Sequence, residues 1–462
     1  MVLRPSLPSH ESAALASFRR KQHRRWLILI AITGILVGLV LVVLIGCQPK
    51  VVEHEAPPSS VKLPVLPPTA VPAIRLDQEP VMRVRIRVGV SQLALSGGRQ
   101  LTVGPMQQPN GSARPYNFAA PLRITRHGDG FAITSSDGKT VSWALSALMI
   151  HSPDGQPVQV DGVPYPQQVA LHLSKNHQSS FDAVNHVLLE QYLPGVLQKE
   201  LYRTWHPATF RAQCIAARSY AICQHVRWQS RHYDLESTTA SQAYAGAAAG
   251  PKAVQAVALT RGIVLTYQNQ VVPGYYSSCC GAVGQDATVA FPNGENMTPL
   301  RGRQRAAWCR ASSKFQWGPI TRRGDTLSRR IRAWGWERKH PVGQLQAVAR
   351  IDITSTNAAG RPAAFTITDR TGSKYALGPE EFRFACNFDA RGVGKLGSKQ
   401  ILPSSFVTPS VSGNVVRFQN GRGYGHGVGM CQWGAQGMAS AGIDSYQIVA
   451  YYYPQSQLRR LY

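Results

Sequence analysis

Residues Gly421–Ala435 read GRGYGHGVGMCQWGA, with glycine at every second position from Gly421 to Gly429. In an extended backbone alternate residues face opposite ways. Gly421, Gly423, Gly425, Gly427 and Gly429 would then leave one face bare, with Arg422, Tyr424, His426, Val428 and Met430 crowding the other. A face without side chains admits close approach by another backbone, or by a flat extended ligand such as a sugar chain. The competing reading is a glycine-rich turn.

Upstream of this stretch the hydrophobic pattern changes twice. VMRVRIRVGV alternates from Val81, with Val84, Ile86 and Val88 on one face and Arg83, Arg85 and Arg87 on the other, which predicts a half-buried strand with a basic exposed side. Short strand-like segments such as LTVG, FAIT and VALHL continue to about residue 180. From Val187 the spacing becomes helical through Leu188, Leu189, Tyr192, Leu193, Val196 and Leu197, and Pro194-Gly195 is expected to split this segment into two pieces. Pro207 suits the first turn of a helix over 208–226. Further on come a strand, a turn at Gln268-Asn269-Gln270 and a second strand, a helix near 327–334, and the strands ARIDITS and AAFTITD. A β-rich region followed by helices and mixed elements predicts an α+β chain rather than a βαβ repeat.

The 462 residues carry 50 Lys+Arg against 24 Asp+Glu, a formal +26 that favours an anionic partner. The N-terminus narrows the choice. Arg19, Arg20, Lys21, Arg24 and Arg25 precede an uncharged apolar run over 26–47, and about 20 such residues cross a bilayer. The expected organisation is a basic cytoplasmic leader (1–25), a transmembrane anchor or lipoprotein signal ending at Cys47 (26–47), a Pro-rich linker (48–80), a β-rich N-terminal domain (81–180) and a catalytic domain (181–462). The folded part would then lie in the periplasm or cell-wall space, tethered to the inner membrane. No RNP, KH or zinc-finger pattern is present, so no nucleic-acid partner is expected. Export permits disulfides. Cys214 and Cys223 are out of phase on one helix and are not expected to pair with each other; adjacent Cys279 and Cys280 would seek a distant partner among Cys309, Cys386 and Cys431, and a link to Cys309 or Cys431 is favoured. No cofactor is expected; zinc on Cys279, Cys280 and Cys309 is an option that no CxxC or Cys/His spacing backs.

Four segments carry the functional reading: NHVLLEQYLPGVLQKELYRTWHPATFRAQCIAARSYAI, ESTTASQAYAG, TRGIVLTYQNQVVPGYYSSCCGAVGQ and GRGYGHGVGMCQWGAQGMASAGIDSYQIVAYYYP. In this order they resemble the SpoIID/LytB family, whose sporulation member is a peptidoglycan lytic transglycosylase. The resemblance places the catalytic acid, at the end of a YLxGVxxxE motif, on Glu200. Independently, a carboxyl beside Leu201, Tyr202 and Trp205 would be partly desolvated and hold its proton more tightly. The resemblance further implies a substrate-binding role for Arg211, Arg218, Gln242, Tyr276, Ser277, His426 and Gln432. Arg211 and Arg218 share one helix face, His426 could equally be a core histidine, and Ser278-Cys279-Cys280-Gly281-Ala282 departs from the family's Ser-Gly-Gly continuation.

Hydrolytic glycosidases commonly use two carboxylates; a lytic transglycosylase can act with one, leaving 1,6-anhydro-muramic ends. Glu190, Asp234 and Glu236 are the other acids in reach, and Glu190 is expected to cap or pair locally. The alternative is a non-catalytic peptidoglycan-binding amidase enhancer. The resemblance implies glycan strands stripped of stem peptides as substrate, and a cell-wall amidase as partner.

Overall fold

The structure, a computed structural model, describes residues 77–106, 114–174 and 179–462, all within one compact unit, Ser60–Tyr462. The basic leader, the apolar segment 26–47 and the linker as far as residue 76 lie outside the described residues. Among the described residues no helix is long and apolar enough to cross a membrane.

The chain mixes helices with strands in an α+β arrangement. A seven-stranded sheet runs in the order Leu235–Glu236, Val81–Val90, Phe181–Leu188, Gln168–Leu173, Ala147–His151, Gln100–Pro105, Tyr116–Ala119, and a six-stranded sheet holds the remaining strands before residue 180. Phe181–Leu188 lies in the middle of the first sheet, so the position where a domain boundary was expected falls inside a continuous hydrogen-bonded layer. The alternation read from the sequence buries Met82, Val84 and Ile86, whereas Val88 stands 59% exposed beyond a bulge. The arginines of this strand do not form a free basic face. Arg83 pairs with Asp234, Arg85 with Asp182 and Glu236, and Arg87 with Asp161.

Helix α1, Leu189–Glu200, follows directly from the central strand. The expected break at Pro194-Gly195 does not occur. Proline leaves only the Glu190 carbonyl without its partner, and burial of Leu189, Tyr192, Leu193, Val196 and Leu197 outweighs that loss at about 1.5–3 kcal/mol for each large apolar side chain. Gly195 serves another purpose: a Cβ there would stand 2.3 Å from the Gly246 carbonyl oxygen.

Helix α2, Pro207–Arg227, starts with Pro207 in its first turn and His206 Nδ1 accepting the Ala208 N–H. It has no single apolar stripe because it is buried on two sides. Phe210, Cys214, Ala217 and Ile222 join the core of the sheets, while Ala208, Ala212, Ile215 and Ala216 join a second core. That second core is closed by α6 (Gln432–Ser440) and α7 (Ser445–Tyr452), whereas α3 (Pro251–Leu259) covers α1 and α2. A third core unites α4 (Gly324–Glu337) and α5 (Pro379–Asn387) with the hairpin Val348–Thr356/Pro362–Asp369. All described cysteines are unbonded, so the expected disulfide is not formed.

Candidate functional site

Glu200 closes α1, and Leu201 turns the chain into an extended conformation that leaves the carboxyl half-buried. Its Oε1 accepts the Ala243 N–H at 3.1 Å and its Oε2 accepts Gln432 Nε2 at 3.1 Å, while the Tyr276 hydroxyl supplies a further hydrogen bond. Among the described residues it forms no ion pair with a cation. Burial therefore wins over the three donors and raises the carboxyl above its ordinary pKa.

The donors come from three segments brought together by backbone pairing. Tyr276–Ser277 runs parallel to Met430–Cys431, with Tyr276 opposite Met430, which sets Gln432 at the first residue of α6 beside Glu200. Gln242 stands behind Tyr276. Its Nε2 donates to the Tyr276 hydroxyl at 3.0 Å and to the Ala217 carbonyl, and its Oε1 accepts the Tyr192 hydroxyl at 3.2 Å. A chain of polar groups thus passes from Tyr192 through Gln242 and Tyr276 to Glu200. Gln242 is 0% exposed, so the expectation that it contacts substrate is corrected to one of holding Tyr276. Ser277 and Gln432 are also buried; Ser277 Oγ accepts the Gly427 N–H at 3.2 Å.

The glycine-rich stretch is not an extended strip facing a ligand. Gly423, Gly425, Gly427 and Gly429 all have positive φ, so the chain turns at every second residue, and the turn reading replaces the extended one. What approaches closely is protein. A Cβ on Gly429 would stand 1.9 Å from the Tyr275 carbonyl oxygen, and one on Gly427 would stand 2.2 Å from Arg361 Nη1. Arg361, fully buried and unmarked in the sequence reading, fastens this loop to its neighbour by donating to the Cys280, Val283 and Gly425 carbonyls.

Each of the other acids in reach has a cationic partner. Glu190 receives Arg218 Nε and Nη2, both at 2.8 Å, together with the Gly262 N–H and the Tyr462 hydroxyl. Burial raises the Glu190 carboxyl, but these partners outweigh it and hold the group below its ordinary pKa. Arg218 is 0% exposed and its guanidinium is committed to this pair, so its expected role on substrate is corrected to a structural one. Asp234 holds Arg83 and His225, and Glu236 holds Arg85. Arg211 leans on Ser445 Oγ at the start of α7 and does not meet Glu200.

Tyr276 also lines a cavity of about 400 Å³ with His426, Phe291, Arg227, Glu380 and Arg383. Burial pulls the His426 imidazole down to about 4, so it is neutral near pH 7. Its Nδ1 accepts the Val428 N–H at 3.0 Å and its ring meets Phe291 edge-on. On the chain side of Glu200, Tyr202, Trp205 and Trp433 form a ring cluster with centroids 5.2–5.9 Å apart, and Tyr202 is 61% exposed. Trp433 escaped the sequence reading, as did Arg383. Its position next to Gln432 was the available signal.

Residues 177–267 match the SpoIID family, described as Stage II sporulation protein. The chain is 28% identical to an uncharacterized protein of Brachyspira hyodysenteriae over 273 residues, 58% of this chain and 66% of that one. It is 26% identical to the amidase enhancer of Bacillus subtilis over 58% of this chain and 40% of the relative, and 24% identical to stage II sporulation protein D of the same organism over 61% and 77%. The chain thus spans less than two thirds of the length of the first two relatives.

Proposed function

We propose that this chain, which belongs to the SpoIID/LytB family, is a cell-wall lytic transglycosylase that cleaves peptidoglycan glycan strands, those stripped of stem peptides above all. The observation that carries this reading is Glu200: a half-buried carboxyl with a raised pKa, held by uncharged donors, while Glu190, Asp234 and Glu236 are tied to cations. In its protonated form Glu200 gives its proton to the glycosidic oxygen as the bond to the muramic C1 breaks through an oxocarbenium-like state. As carboxylate, steadied by Ala243 N–H, Gln432 and Tyr276, it then takes the proton from the C6 hydroxyl. That oxygen bonds to C1 and closes the 1,6-anhydro ring, so one carboxyl serves both steps.

Tyr202 and Trp433 offer aromatic faces on which sugar rings stack, and Tyr276 and His426 front the neighbouring cavity. The basic leader and apolar segment fit an exported protein tethered at the inner membrane. Denuded glycan strands incubated with the protein and analysed by mass spectrometry test the reading: anhydro-muramic ends are expected from the native chain and not from Glu200→Gln. The relative named amidase enhancer favours a second reading, a wall-binding partner of an amidase. In that case the native chain yields no anhydro ends and accelerates an added amidase.

A further inference from the structure

Three thiols converge beneath the wall that carries Tyr276 and Gln432, and a fourth stands beside them. The Sγ atoms of Cys279, Cys309 and Cys431 all lie within 4.8 Å of one another, and Cys280 Sγ is 3.9 Å from Cys309 Sγ. All four are buried and unbonded. Four sulfurs bound tetrahedrally to zinc at about 2.3 Å stand about 3.8 Å apart, whereas a disulfide needs about 2.05 Å.

Two further observations point to negative charge on these sulfurs. Cys431 caps the N-terminus of α6, where its Sγ accepts the Gly434 N–H at 3.3 Å and the Cys280 N–H at 3.2 Å. Beside it, Arg305 is 9% exposed, with its guanidinium hydrogen-bonded to Cys280 and stacked 5.1 Å from the Tyr452 ring. Among the described residues its Nε and Nη1 have no hydrogen-bond partner and it forms no ion pair with a carboxylate. A buried cation without a counter-charge is costly. Four neutral thiols do not supply one; four thiolates around a divalent ion, net charge −2, do.

We propose that Cys279, Cys280, Cys309 and Cys431 bind one zinc ion in a closed structural site. Zn²⁺ displaces four thiol protons and takes four sulfur ligands, leaving no position for water. The site would pin together the loop after Ser277, the turn at Cys309 and the start of α6. These are the segments that deliver Tyr276 and Gln432 to Glu200. Spacing along the chain carries no zinc signature, because these ligands come from three separate segments.

The test uses the full chain, purified in detergent without chelator or reductant. Elemental analysis is expected to find about one zinc per chain. Peptide mapping after unfolding in guanidinium with EDTA and iodoacetamide is expected to find all four cysteines alkylated. Cys309→Ser and Cys431→Ser should lower the zinc content about tenfold or more, while Cys386→Ser, a buried thiol outside the cluster, keeps it. Because a cysteine variant can misfold, the native chain is also stripped with dipicolinate. Its melting temperature should fall, and zinc chloride but not magnesium chloride should restore it. Less than about a tenth of a zinc per chain, iron in its place, or a peptide pair joined through Cys279 or Cys280 to Cys309 or Cys431 overturns the proposal.

Discussion

Helix α1 carries one carboxylate near each end, and the two have opposite surroundings. Glu190, in the first turn, is gripped by a fully buried guanidinium and held below its ordinary pKa. Glu200, at the last residue, meets an amide N–H, a glutamine and a tyrosine hydroxyl, and is pushed above its ordinary value. Both are desolvated. What separates them is a formal positive charge, and this difference divides the helix into an end that holds the fold together and an end free to exchange a proton.

The largest effect that could break this contrast is on turnover. Glu200→Gln keeps the shape but removes the exchangeable proton, so glycan cleavage should fall about 10²–10⁴-fold with no loss of melting temperature. Cleavage at the native rate would end the distinction. Next, Arg218→Met strands Glu190 as an uncompensated buried acid and should cost about 3–5 kcal/mol in urea unfolding. Adding Glu190→Gln should recover part of that loss. Native stability with impaired glycan binding would return Arg218 to the ligand-contacting role first read from the sequence.

A smaller effect lies in the pH dependence of stability, and here the two ends have opposite signs. A lowered carboxyl such as Glu190 contributes stability above the ordinary carboxylate pKa of about 4.3, and that contribution is lost as pH falls through its folded value. A raised one such as Glu200 keeps a proton in the folded state that the unfolded chain has released. Stability therefore drops as pH rises from the ordinary value through the raised one. Unfolding titrations from acid to neutral pH should show Glu190→Gln with a flattened acid limb, and Glu200→Gln slightly more stable than the native chain at pH 7. The smallest effect is expected from Tyr276→Phe. It removes one donor to the carboxylate, worth about 1 kcal/mol, and should move the alkaline limb of the pH–rate profile upward, because the charged form loses support.

The elements whose signals are local were legible. Pro207 marked the start of α2, and Gln268 and Asn269, both at positive φ, make the turn expected between Ile263–Tyr267 and Gln270–Val271. A family motif and its aromatic neighbours both single out Glu200, and its carboxyl lies half-buried among uncharged donors. Charges were misread, because an arginine's partner is not written next to it. Arg218 meets an acid 28 residues away, and Arg83 meets one 151 residues away. The glycine repeat was misread for a related reason: alternation fixes which residues lack a Cβ, but only the strand packed against them shows that the chain turns at each one.

Gln432 reaches Glu200 across 232 positions of sequence, and Tyr276 comes from a third segment. Contacts of such high sequence separation form late and cooperatively. A chain synthesised amino-end first therefore carries an unoriented carboxyl until the segment around Gln432 has followed. Long-range assembly thus ties the setting of this carboxyl to the arrival of the segment that follows Met430.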